Sequence, residues 1–156
     1  MGIDFFRSRG HGFAPYWAKT PDDEAPMRTL NPVSIAPPLA RYAHGVEVAG
    51  PVRMIRTSGQ LGVTVDGSVP PTAAEQAQVC FSNIRAILAE GGMEVANICH
   101  ISAWLTDRAD LPAYMATRDT FLEGSSQTPA STLLIVAGLS RPEFKVEVEV
   151  WATAPL

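Results

Sequence analysis

The sequence predicts an α+β fold: a mixed sheet with two helices on one of its faces, in the order β-β-α-β-α-β-β. Three observations predict it. Val146, Val148 and Val150 alternate with Lys145, Glu147, Glu149 and Trp151, the period-two pattern of a strand with one buried face. After Thr72, residues Ala77, Cys80, Phe81, Ile84, Ile87 and Leu88 recur at helical spacing, which gives one buried stripe. After Asp110, the residues Leu111, Tyr114, Met115, Arg118, Phe121 and Leu122 do the same.

Taken in order, residues 1–26 form an aromatic arm or linker and residues 27–156 a single domain. The arm mixes Phe5, Phe6, Phe13, Tyr16 and Trp17 with glycine and proline, holds no period, and ends in the acidic run Asp22-Asp23-Glu24. Its rings are expected to pack on the body or on a neighbouring subunit, the alternative being a lid that closes a pocket. Prolines keep residues 32–39 extended. Tyr42 to Val48 reads as a strand, Ala49-Gly50-Pro51 as a turn, and Val52 to Val65 as a second strand with Ser58-Gly59-Gln60 inside it. A glycine within a strand marks a place where a backbone or ligand comes close.

Thr72-Ala73-Ala74-Glu75 has capping-box spacing, so hydroxyl and carboxylate each satisfy a backbone N–H at the first helix's start. Gly91-Gly92 ends that helix with the left-handed conformation that glycine adopts freely. Val95 to Thr106, rich in β-branched and aromatic residues, reads as a strand. Asp110 caps the second helix and Pro112 sits in its first turn, where no N–H is missed. Arg118 interrupts the apolar stripe and is expected to snorkel to solvent. Residues 129–139 and 144–152 read as a hairpin turning at Ser140-Arg141-Pro142. With both helices on one face, the other face has no cover within the chain, and subunit association is the expected way to hide it.

A formal charge of −4 and a pI near 5.3 weigh against nucleic-acid binding, which needs clustered cations; the arginines are scattered and only Lys19 and Lys145 are lysines. Cys80 and Cys99 lie in apolar patterns, too few and too far apart for a disulfide scaffold or zinc site, and read as buried free thiols. No apolar run is long enough to span a membrane, and the first residues lack a charged-then-apolar leader pattern, so the expected compartment is the cytoplasm. No phosphate-cradling glycine loop appears, and His11, His44 and His100 lack metal-ligand spacing, so no cofactor and no metal are expected.

Certain short stretches carry more. Arg41-Tyr42-Ala43-His44-Gly45-Val46, Thr57-Ser58-Gly59-Gln60, Asn83-Ile84, Pro129-Ala130-Ser131-Thr132 and Val146-Glu147-Val148-Glu149 resemble, in identity and spacing, the Rid (reactive intermediate deaminase, or YjgF) family from about Met27 onward. The resemblance implies a chorismate-mutase-like fold and a homotrimer with a barrel-like core and a cleft at each subunit boundary. It also implies a small-molecule substrate: a reactive enamine or imine hydrolysed without a cofactor to a carbonyl compound and ammonia. Glu147 would hold or activate the attacking water, Tyr42 and the Ser58-Gly59 backbone would line the pocket, and the main chain near Leu133 would help hold the reacting group. The pattern alone fits a solvated strand face; with the resemblance, only Glu147 is assigned to catalysis, and Glu149 could instead bind an arginine across the subunit boundary. His44 is a candidate neighbour of Tyr42.

Two departures from the family pattern bear on the substrate. Deaminating members carry an arginine after Pro-Ala that forks onto a substrate carboxylate, and here Ser131 cannot make that contact. An asparagine of the second helix is replaced by Met115. Either the substrate lacks a carboxylate or another cation substitutes, the candidates being Arg41, Arg118 and Arg141. Three readings follow: an enzyme hydrolysing a larger, more apolar C=N or enamine substrate; an isomerising, condensing or cyclising enzyme using the same cleft; and a non-catalytic small-molecule-binding trimer. Product mass separates the first two, because only hydrolysis adds water.

Overall fold

A computed structural model describes residues 27–156, so the aromatic arm lies outside the described residues. The strands are β1 (Met27–Leu30), β2 (Gly45–Val48), β3 (Val52–Arg56), β4 (Gln60–Leu61), β5 (Ile98–Leu105), β6 (Ala130–Ile135) and β7 (Val146–Pro155), with helices α1 (Ala73–Glu90) and α2 (Leu111–Phe121). β1 and β2 form a separate antiparallel pair. The main sheet runs β3-β7-β5-β6, with β4 also on β7; its contacts are antiparallel except for β5 with β6, so the sheet is mixed and the fold is α+β.

The hairpin expected from residues 129–152 does not form. β6 instead pairs in parallel with β5, and β7 lies on the other edge of β5. The chain reaches β6 through α2, a crossover that leaves it beside its own predecessor. β7 takes the central position, where the strand with the most completely apolar face belongs: Val146, Val148 and Val150 have no exposed surface. They pack under Ala77, Cys80, Ile84 and Leu88 of α1 and Tyr114 and Phe121 of α2. Burying such side chains is worth about 1.5–3 kcal/mol each.

The signals of the first helix hold, whereas the cap expected of the second does not form. Thr72 and Glu75 form the capping box, Glu75 N donating to Thr72 Oγ1 at 3.3 Å and Thr72 N to Glu75 Oε2 at 3.2 Å. The left-handed residue after α1 is Gly92 (φ 64°), while Gly91 stays at φ −83°. Asp110 precedes α2 without a capping bond; Asp107 caps the short 3-10 turn before it, accepting from Ala109 N at 2.8 Å. Another 3-10 turn, Val95–Asn97, leads into β5. Arg118 does not snorkel: it is 3% exposed, and its Nε and Nη2 donate to Asp119 Oδ1 at 3.1 and 2.7 Å, so a neighbouring carboxylate neutralises it in place. No helix among the described residues is long and apolar enough to cross a membrane.

The early strands are shorter than the sequence suggests. β2 begins at Gly45, leaving Tyr42 and His44 either side of an isolated bridge from Ala43 to Ala130. The run from Val52 breaks between Arg56 and Gln60. Arg56 pairs with Trp151 and Gln60 with Val148, so three residues, 57–59, face two on β7. At this bulge Thr57 N donates to Val150 O at 3.0 Å and Val150 N donates to Thr57 Oγ1 at 3.0 Å. The hydroxyl stands in for a missing strand carbonyl. Thr57→Val should therefore lower stability by about 1–3 kcal/mol, because it strands a buried N–H, whereas Thr57→Ser should recover most of the loss. Urea unfolding of the three proteins checks this, and equal midpoints for valine and serine would refute the hydroxyl's role.

Candidate functional site

The bulge at Thr57 brings the following residues over β7. A Cβ added to Gly59 would overlap the Glu147 carboxylate, lying 2.7 Å from Cδ and 3.0 Å from Cγ. Only a residue without a side chain lets the backbone sit against that carboxylate. The segment is stitched together locally, Gln60 Nε2 donating to Ser58 O at 3.1 Å. Beneath it the fully buried Cys80 thiol donates to Gln60 O at 3.1 Å. Burial first, and the nearby Glu147 charge as well, push the Cys80 thiol up to about 12, so it stays protonated as a small donor. Cys99 is only half-buried, and burial likewise raises its thiol.

Glu147 lies on the sheet face opposite the valines, half-buried in one chain. β5 sets Trp104 opposite Glu147 and Ser102 opposite Glu149. Glu149 meets an arginine of its own chain: Arg56 Nη2 is 3.5 Å from Glu149 Oε2, and its guanidinium lies 4.9 Å from the Trp151 ring centroid. His100, opposite Trp151, has its pKa lowered by burial, with Glu149 opposing the shift.

The other predicted residues gather elsewhere. Ser131 and Leu133 pair with Ile101 and Ala103, which are buried in the core, so both belong to the helix-covered side of β6. Leu133 and Met115 of α2 pack against the core. Arg41 Nη1 and Nη2 donate to the carbonyls of Asp119 and Leu122 at 3.2 and 2.9 Å, binding the Tyr42 segment to the end of α2. The Tyr42 hydroxyl accepts from Leu39 N at 3.3 Å, and its ring lies edge-on to His44 with centroids 6.0 Å apart. Beside it opens a cavity of about 310 Å³ lined by Thr29, Asn31, Arg41, Tyr42, Gln127 and Thr128 among others. A larger cleft of about 470 Å³ between the outer faces of the helices touches none of the predicted site residues.

The predicted residues thus form two groups: Ser58, Gly59 and Glu147 at β4 and β7, and Arg41, Tyr42, Met115, Arg118, Ser131 and Leu133 around α2 and the edge strand β6. With β5 between β7 and β6, and Glu147 and Ser131 on opposite faces, the two groups do not meet within one chain. The three candidate cations are all engaged: Arg41 by carbonyls, Arg118 by Asp119, and Arg141 by Glu143 at 3.8 Å with its guanidinium 5.8 Å from the Phe144 ring centroid. No group of three or more His, Cys, Asp or Glu among the described residues could hold a metal. Sequence reading passed over the roles of Thr57 and Arg56 and missed the fully buried Gln76, whose only signal is a polar residue at helical spacing on an apolar stripe.

Comparison with known proteins bears on this geometry. A sequence model of the family described as Endoribonuclease L-PSP matches residues 33–154. The 2-iminobutanoate/2-iminopropanoate deaminase of Escherichia coli K12 is 32% identical over 123 residues, covering 78% of this chain and 90% of that protein. The solved YjgF gene product from E. coli is 29% identical with a TM-score of 0.61, over 80% of this chain and 97% of that one. A Rid-family protein of Yersinia pestis, YyfB, shares the fold with a TM-score of 0.76 at 24% identity, over 83% of this chain and all of that one.

The buried thiol gives a prediction of definite sign. A thiol raised in the folded state from 9.0 to about 12 contributes stability that is present below pH 9 and lost as the pH rises through 12. Tyr114, also pushed up by burial, acts in the same direction. Urea midpoints should therefore fall between pH 9 and 11, and Cys80→Ala should flatten the slope. A slope identical in the variant would show that Cys80 is not held protonated.

Proposed function

Because the chain belongs to the Rid, or Endoribonuclease L-PSP, family, we propose that it hydrolyses a reactive enamine or imine whose non-reacting end is apolar and uncharged. The close approach of the Gly59 backbone to the Glu147 carboxylate is the observation that carries the reading. The proposed active unit is a homotrimer, in which the Glu147 group of one copy faces the Tyr42, Met115 and Ser131 group of the next. The division of these residues between two parts of one chain supports that arrangement.

An imine carbon is already electrophilic. Glu147 takes a proton from water as the oxygen adds to carbon and passes it to the imine nitrogen, giving a carbinolamine and a free carboxylate again. Glu147 then takes the carbinolamine hydroxyl proton and delivers it to the amine, the C–N bond breaks as the C=O bond forms, and a carbonyl compound and ammonia leave. An enamine enters the same sequence after protonation at carbon. A carboxylate at this position serves first as base and then as acid. The Ser58-Gly59 main chain supplies polar groups beside it, and Tyr42 supplies a hydroxyl from the facing copy.

The substrate's other end follows from charge. A carboxylate removed from water needs a cation or several donors. Ser131 carries no charge, Met115 and Leu133 are apolar, and Arg41, Arg118 and Arg141 already have partners. The E. coli relative's name specifies two short 2-imino acids; the wall proposed here suits a different group.

Glu147→Gln should reduce kcat by about 10²- to 10⁴-fold, with an unchanged circular dichroism spectrum and melting curve. Undiminished ammonia release from the folded variant would eliminate the proton-carrier role. In coupled assays, 2-iminopropanoate should be a poor substrate beside a carboxylate-free aryl alkyl ketimine, and Ser131→Arg should narrow or invert that preference. Fast wild-type turnover of 2-iminopropanoate would refute the apolar assignment.

A further inference from the structure

Gln76 lies one turn before Cys80 on the buried stripe of α1 and has no exposed surface. Its Nε2 donates to Pro70 O at 2.8 Å and to Glu143 O at 2.9 Å, and its Oε1 accepts from Lys145 N at 2.8 Å. Both donor hydrogens are used. Bonding the carbonyl of residue 143 and the N–H of residue 145, the amide contributes the donor and acceptor that one more peptide unit would. It does so where β4 has just ended: Leu61 pairs with Glu147, and the next residue, Gly62, comes so close that an added Cβ would lie 2.5–2.7 Å from Gln76 Cβ, Cγ and Cα. Gln76 therefore holds the chain entering β7 two residues before Glu147 and abuts the residue that follows β4, the strand that pairs with Glu147.

A leucine or methionine would fill the same volume without the cost of burying an amide. What the amide adds is location, because hydrogen bonds fix distances to a few tenths of an ångström where apolar contact does not. We infer that Gln76 is a positioning residue that sets where the Glu147 carboxylate sits against Ser58-Gly59. This rests on the assignment of Glu147 as the proton carrier. The Gly59 backbone leaves no slack on its side of the carboxylate, so a shift at Lys145 is transmitted to it. Displacements near 1 Å at a reacting group cost about 10²-fold in rate.

The test uses the full chain. Gln76→Met keeps the volume and removes all three bonds. Three quantities are measured: kcat and KM for an aryl alkyl ketimine by ammonia release, the ¹³C carboxyl resonance of Glu147 with that of Glu149 as internal reference, and the urea midpoint. The expected result is a folded variant with kcat about 10- to 100-fold lower, KM within about twofold, the Glu147 resonance displaced and that of Glu149 in place. An unmoved Glu147 resonance with unchanged kcat, even alongside a lowered urea midpoint, would make Gln76 a core-stability residue and overturn the inference. If Gln76→Met does not fold, Gly62→Ala presses on the same side chain from β4, and an unmoved Glu147 resonance there overturns it equally. If the wild type fails to turn over the ketimine, the proposed substrate fails on its own, and the resonances still decide whether Gln76 positions Glu147.

Discussion

The constraint on which the rest depends is the register of β7. The strand is paired on both edges, to β3 and β4 on one side and β5 on the other, and its valine face is sealed. A one-residue slip would exchange Val146, Val148 and Val150 for Lys145, Glu147 and Glu149 under the helices. Losing three buried valines, at about 1.5–3 kcal/mol each, would remove much of a small domain's net stability before any buried charge is counted. The position of Glu147 is thus set by core packing, and its face is the complement of that packing. Stability and the candidate chemistry are two sides of one strand.

Around that strand, side chains complete the backbone where the ladder fails. Thr57 exchanges hydrogen bonds with Val150 through its amide and its hydroxyl, so β3 can leave the regular register without stranding Val150 N. The Cys80 thiol donates a hydrogen bond to the carbonyl of Gln60, and Gln76 covers Glu143 and Lys145. Each sits at an irregularity next to Glu147. Buried polar groups cost stability unless they are paired, and here each is paired with main chain where β3 ends or where β4 begins or ends.

What could be read from the sequence was whatever is local. The capping box at Thr72 and Glu75, the stripe of α1 and the alternation of residues 145–151 depend on neighbours two to four positions away, and all three stand. The failures concern partners. Alternation says that residues 129–139 and 144–152 are strands but not which edges they share, and β5 came between them because the connection through α2 favours parallel pairing beside β5. Arg118 looked like a snorkelling residue because its neutralising carboxylate, Asp119, is the adjacent residue rather than one a helical turn away. The bulge at residues 57–59 needed knowledge of which β7 N–H would donate to the Thr57 hydroxyl. The site residues followed the same rule: the resemblance supplied their identities, but not that they fall into two groups.

That division governs how the proposed chemistry would respond to its surroundings. The Glu147 group lies on a half-buried face that also carries Glu149, Arg56, His100 and two tryptophans. In an isolated chain water reaches this face, and a water-solvated carboxylate has little basis for distinguishing one imine from another. In the proposed trimer, a second copy docked over it would exclude water and strengthen each electrostatic contact in the cleft. The same step carries a cost, since Glu147 and Glu149 are both acidic and their desolvation opposes assembly. Arg56 offsets part of that cost by standing against Glu149 and Trp151, while Glu147 lies two positions along the same face with no cation bonded to it among the described residues. Under the proposed arrangement Glu149 would serve the face's charge balance, and Glu147 would be left to exchange protons with what the facing copy brings.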